Sequence, residues 1–119
     1  MAKTILLVDD EDQTRGLLKK ALERRGNQIY DTGKGYEAVE LYKQHKPNGV
    51  FLDVKLPDLE GPEVLQKIKE FDPQAKVYFI TGVSQAEYQL GQKSKEMGAA
   101  GYLSKPVIME DLLEIVDSF

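Results

Sequence analysis

Cysteine is absent from the 119 residues, which excludes a disulfide framework and any thiolate metal site. That absence fits a cytoplasmic protein. Long apolar runs are missing too. The first one, Ile5-Leu6-Leu7-Val8, is too short for a signal-peptide core or a membrane span. Clusters of lysine and arginine are lacking. The formal net charge is −4 with acids and bases interspersed, so no nucleic-acid surface is expected. No repeat, low-complexity tract or linker interrupts the chain. Neither G-x-G-x-x-G nor G-x-x-x-x-G-K-[ST] occurs, which removes the common dinucleotide and ATP cradles. A single domain over residues 1–119 is expected from the length alone.

What is present alternates. Ile5 to Val8 reads as a buried strand and runs into four acids, Asp9-Asp10-Glu11-Asp12. Leu17, Leu18, Ala21 and Leu22 follow at helical spacing, and Gly26 suits the helix C-terminus. The acids precede and enter the first turn, where the macrodipole favours negative charge. Capping accounts for one or two of them, not for four in a row. Gln28 to Asp31 reads as a short strand, Thr32-Gly33-Lys34-Gly35 as a loop and Glu37 to Gln44 as a helix. Val50-Phe51-Leu52 is a central strand ending at Asp53, and Leu56-Pro57-Asp58-Leu59-Glu60-Gly61 is its loop. Val64, Leu65, Ile68 and Phe71 mark a third helix, with Pro62 in its first turn. Lys76 to Thr81 is a strand. Ala86 to Met97 is expected as the least stable helix, because its apolar stripe is thin and Gly91 lies inside it. Tyr102-Leu103-Ser104 is the last strand and Glu110 to Phe119 the last helix.

Five βα units with apolar strands imply a doubly wound five-stranded parallel sheet with helices on both faces, order 2-1-3-4-5 and right-handed crossovers. In such a sheet all strand carboxyl ends share one edge. That edge collects Asp9, Asp10, Asp53, Thr81 and Lys105. Three carboxylates crowded together are costly unless a cation neutralises them. Hard oxygen donors favour Mg²⁺ or Mn²⁺ over zinc. A lysine and a hydroxyl opposite that metal suit phosphate, and an aspartate can be the nucleophile in phosphoryl transfer. Taken singly, each residue has a plainer reading. Asp53 is a capping or loop acid, Thr81 a helix cap, Lys105 an exposed lysine and Tyr102 a core residue. His45, the only histidine, reads as a solvated residue near a helix C-terminus.

Four pieces, in order and at strand ends, make the set specific: Val8-Asp9-Asp10-Glu11, Leu52-Asp53-Val54-Lys55-Leu56-Pro57-Asp58-Leu59-Glu60-Gly61, Ile80-Thr81-Gly82 and Tyr102-Leu103-Ser104-Lys105-Pro106. Over essentially its whole length the chain resembles the receiver domains of two-component response regulators, with their flavodoxin-like (βα)5 fold. The resemblance implies that Asp53 is the phosphoacceptor. Asp10, Asp53 and the backbone carbonyl of Lys55 would bind Mg²⁺, with Asp9 assisting. Thr81 and Lys105 would contact the phosphoryl group, Tyr102 would change rotamer on activation, and the Lys105-Pro106 peptide would be cis. The implied partners are a sensor histidine kinase or histidine phosphotransfer protein, an output domain or target protein, and a second copy of the chain in a phosphorylation-dependent dimer. The chain would assist its own phosphorylation rather than turn over external substrates. Two rival readings stand beside it. One is a phosphatase of the haloacid dehalogenase type, whose Asp-x-Asp-x-Thr pattern is present as Asp10-Glu11-Asp12-Gln13-Thr14. The other is a receiver-like module that binds without being phosphorylated.

Overall fold

A computed structural model describes residues 2–119. Five strands alternate with five helices: β1 (Thr4–Val8), α1 (Asp12–Arg24), β2 (Gln28–Thr32), α2 (Gly35–His45), β3 (Gly49–Asp53), α3 (Gly61–Phe71), β4 (Val77–Thr81), α4 (Gln85–Gln92), β5 (Gly101–Ser104) and α5 (Met109–Asp117). All four strand pairings are parallel, and the sheet order is β2-β1-β3-β4-β5. This is the doubly wound fold expected from the apolar strands.

Alternation along each strand sends side chains to two separate cores. Leu6, Val8, Val50, Leu52, Val77 and Phe79 meet α2 and α3 through Val39, Tyr42, Val64, Leu65 and Ile68. Ile5, Leu7, Ile29, Phe51, Ile80 and Leu103 meet α1 and α5 through Leu18, Leu22, Leu112 and Val116. Phe51 and Phe79 are fully buried on opposite faces. Truncating either ring to alanine costs about 3–5 kcal/mol. That is a large share of the roughly 5–15 kcal/mol that holds a domain folded. Both layers of helices are therefore needed to keep the strand ends in line.

Element boundaries differ from the sequence expectation where backbone geometry decides. Thr32 completes β2 and Gly35 opens α2, so the loop between them shrinks to Gly33-Lys34. α1 ends as expected, with Gly26 at φ +88° and its N–H donated to the Glu23 carbonyl. α4 is the main correction. It stops at Gln92 instead of reaching Met97. Beyond Gln92 the ladder gives way to turn bonds, such as Ser94 N–H to the Gly91 carbonyl and Gly98 N–H to the Lys95 carbonyl. Gly98 at φ +98° then closes the segment. Few apolar contacts reward a longer helix here, and Gly91 weakens it from inside.

Candidate phosphoacceptor and metal site

Parallel register places the expected residues at one edge. Val8 pairs with Leu52, Asp53 with Ile80, and Thr81 with Ser104. Asp9, Asp53, Thr81 and Lys105 therefore leave the sheet side by side. Gly61 lets the β3–α3 loop fold back over this edge. A Cβ there would sit 2.7 Å from the Val54 Cα and 2.9 Å from the Asp53 carbonyl oxygen.

The three acids converge. Asp9, Asp10 and Asp53 each offer a carboxylate oxygen, and these oxygens all lie within 4.8 Å of one another. Asp9 and Asp53 are buried and Asp10 is exposed. The Asp9 Oδ1 accepts the Glu11 N–H at 2.9 Å. Its Oδ2 is buried with no hydrogen-bond partner. The Lys105 ammonium is 3.7 Å away, close enough for charge attraction but too far for a hydrogen bond. Burial pushes the Asp9 carboxyl up to about 6. The Glu11 N–H and Lys105 pull it down, and the neighbouring charge of Asp53 raises it again.

Asp53 is held from two sides. Its Oδ1 accepts the Lys55 N–H at 3.1 Å, and its Oδ2 accepts Lys105 Nζ at 3.0 Å. Lys105 is in turn held in its charged form. Burial works against the charge, but the hydrogen bond to Asp53 and the charges of Asp53, Asp9 and Glu11 outweigh it. The Lys105 backbone N–H donates to the Thr81 carbonyl at 2.8 Å, and the following Lys105-Pro106 peptide is cis, as the resemblance implies. Thr81 is buried. Its hydroxyl donates to the Leu103 carbonyl on β5 at 3.4 Å.

One cation near two buried carboxylates and a third exposed one leaves the cluster under-neutralised. The unpartnered Asp9 oxygen faces the same group, and among the described residues no histidine or other soft donor belongs to it. These features fit a hard divalent cation bound by oxygen ligands.

Other expected residues fall as follows. The Lys55 N–H is already on Asp53, and its side chain is exposed. Tyr102 is half-buried on β5, and its hydroxyl accepts from Gln92 Nε2 of α4 at 2.7 Å. Asp12 is 89% exposed in its side chain and pairs with Arg15. It stays out of the cluster, so the Asp10-x-Asp12 pattern does not form a phosphatase site. His45 is exposed but not merely solvated. It stacks on Tyr30, with ring centroids 3.7 Å apart.

Three contacts escaped the sequence reading. Asp58 caps α2 from the β3–α3 loop, accepting the N–H groups of Gly35 at 2.7 Å and Tyr36 at 3.1 Å. Slight burial raises its carboxyl, but these two donors outweigh that and hold it below the usual range. No local pattern announces a cap supplied by a residue more than twenty positions away. Ser84 and Glu87 form a capping box at α4: Ser84 Oγ accepts the Glu87 N–H and donates to its carboxylate. The S-x-x-E spacing was there to be read. Arg15 spans α1, β2 and the Asp9 backbone.

A family model for the response regulator receiver domain matches residues 5–117. The chain is 36% identical over 116 residues to the chemotaxis protein CheY of Halobacterium salinarum, covering 98% of this chain and 95% of that one. It is 30% identical over 119 residues to sporulation initiation phosphotransferase F of Bacillus subtilis, covering 100% and 94%. Among solved structures, a CheY-like receiver domain protein from Methanospirillum hungatei superposes with a TM-score of 0.88 at 32% identity, covering 99% and 93%.

Proposed function

The chain belongs to the response regulator receiver family, and from that premise we propose that it takes a phosphoryl group from a phosphohistidine onto Asp53 and changes conformation to signal it. The observation that carries this reading is the Lys105–Asp53 contact at 3.0 Å beside the buried, unpartnered Asp9 oxygen. A structural acid would have its oxygens satisfied; this cluster leaves coordination capacity open.

In the proposed reaction a carboxylate oxygen of Asp53 attacks phosphorus, the P–N bond of the donor breaks, and the imidazole leaves with the electron pair and takes up a proton. Asp9, Asp10, Asp53 and the Lys55 carbonyl would hold Mg²⁺ or Mn²⁺. The bound ion would supply positive charge to the phosphoryl oxygens and relieve the repulsion of the acids. Lys105 follows the new charge, exchanging its carboxylate partner for a phosphoryl oxygen. Thr81 turns its hydroxyl from the Leu103 carbonyl to the phosphoryl group, and the loss of that bond loosens β4 from β5. Tyr102, next along β5, is then free to leave Gln92. The product is a stoichiometric aspartyl phosphate rather than a released product. A histidine kinase or phosphotransfer protein would be the donor, in the cytoplasm, and an output domain or separate target the reader.

Intact-mass measurement after incubation with acetyl phosphate and Mg²⁺ tests the assignment. Wild type should gain one phosphoryl group and Asp53→Asn none. Equal labelling of the two proteins would place the acceptor elsewhere. Continuous release of phosphate from a generic ester would revive the phosphatase reading.

A further inference from the structure

Asp10 is the exposed member of the acid cluster, on a loop between β1 and α1, yet its position must be set closely for a metal to use it. Its backbone is gripped from outside the loop. The Asp9 N–H donates to the Thr32 carbonyl at 3.1 Å. The Asp9 carbonyl accepts Arg15 Nη1 at 2.6 Å. That carbonyl belongs to the same planar peptide as the Asp10 nitrogen, so holding it fixes the direction in which the chain enters Asp10.

Arg15 is itself immobilised. Its Nε donates to Asp31 Oδ2 at 2.9 Å, and its Nη2 lies 2.8 Å from Asp12 Oδ1. Its side chain is only 18% exposed. Asp31 is steadied in turn by Lys19 Nζ at 3.0 Å. Gly33 leaves the room for this arrangement. A Cβ there would meet Arg15 Nη1 at 2.9 Å, with the Asp9 carbonyl oxygen and the Asp10 Cα each at 3.4 Å. A guanidinium suits the task because its rigid fork serves a carbonyl and a carboxylate at once, which an ammonium cannot do in fixed geometry.

Resting on the metal-dependent reading above, we propose that Arg15 is a positioning residue for the metal centre: it clamps the Asp9–Asp10 peptide to Asp31 of β2 and so presents the Asp10 carboxylate to the cation. Arg15 touches no reacting atom. Its own charge works against a bound dication, which makes the sign of the test informative. On charge alone, removing Arg15 strengthens metal binding. Loss of the clamp weakens it.

Mn²⁺ titration of the full chain, with free Mn²⁺ counted by electron paramagnetic resonance, separates these effects. Arg15→Ala should weaken Mn²⁺ binding by about 10–100-fold, the usual effect of removing a residue that orients metal ligands. Arg15→Lys keeps the charge but not the fork, and should also bind more weakly than wild type. Lys19→Ala removes a partner of Asp31 while leaving the Arg15–Asp9 bond, and should stay within about twofold. Titrating well below each melting temperature, with folding checked by circular dichroism, keeps stability out of the comparison. Arg15→Ala and Arg15→Lys binding as tightly as wild type, or more tightly, overturns the clamp. Lys19→Ala weakening as much as Arg15→Ala overturns it too, since general loosening would then suffice. A wild-type protein that binds no Mn²⁺ overturns the metal reading itself, and this inference with it.

Discussion

Lys105 reaches both buried acids, at 3.0 Å from Asp53 and 3.7 Å from Asp9. Without metal it is the nearest cation to either carboxylate among the described residues. Replacing it by methionine keeps the bulk of the stem and deletes the charge, leaving Asp53 Oδ2 without its donor. Breaking a fully buried pair costs more than this one should, because the Lys105 side chain is 28% exposed. A loss of about 1–3 kcal/mol is therefore expected in the presence of a chelator. A divalent cation would serve the same carboxylates, so Mg²⁺ should recover more stability in Lys105→Met than it adds to wild type. Paired thermal melts with chelator and with Mg²⁺ measure both differences. An equal Mg²⁺ response in the two proteins would mean that Lys105 and the metal do not share the acids. At this scale the sequence was informative only about residues whose type is chemically conspicuous. An aspartate at a strand end stands out. Arg15, three positions into a helix among nine other lysines and arginines before the midpoint of the chain, does not, because its role depends on β2 folding alongside β1.

α4 packs on β4 and β5 beside Tyr102, and its weakness has a specific origin. Gly91 faces the Tyr102 ring, where a Cβ would come within 2.7 Å of the ring Cδ2. The glycine lowers helix propensity and makes room for the tyrosine. The two effects are separable. Gly91→Ala alone should destabilise the protein, because the ring must shift. In a Tyr102→Ala background the same change should stabilise it by up to about 1 kcal/mol, the propensity gain of alanine over glycine. A double-mutant cycle from urea unfolding measures the sign reversal. The same sign in both backgrounds would show that the ring does not depend on the gap. Long amphipathic elements such as α3 and α5 were legible from their spacing, since packing on the sheet and the apolar stripe agree. The end of α4 was not. Its stripe is thin, and the turns from Lys93 to Gly98 are decided by tertiary fit and by Gly98 rather than by periodicity.

For the whole molecule, the fold and the site place opposite demands on the same strands. The two cores align β1 and β3 as neighbours, and that alignment forces Asp9 and Asp53 together at the edge. The sheet order followed from strand–helix alternation and so was readable in advance, as was the residue set at the carboxyl ends. The cost of bringing those acids together was visible only as an expectation of repulsion. Its counterpart in the structure is an Asp9 carboxyl pushed up to about 6, burial being the main cause. A cation that binds only the folded state offsets this cost and stabilises the protein by RT ln(1 + [L]/Kd). At ten times Kd the gain is about 1.4 kcal/mol. For a chain of this length, that corresponds to a rise of roughly 5–6 °C in melting temperature. Because the gain requires the carboxylates of Asp9, Asp10 and Asp53 acting together, Asp10→Ala should abolish most of it. Asp10 is exposed and supports no core contact, so its removal should leave the metal-free protein at least as stable as wild type, with one like charge fewer. Melting curves of both proteins across a Mg²⁺ series would show a climbing midpoint for wild type and a flat one for Asp10→Ala. Parallel curves would show that Mg²⁺ acts elsewhere on the surface, and a flat wild-type curve would deny the edge any useful affinity for the metal.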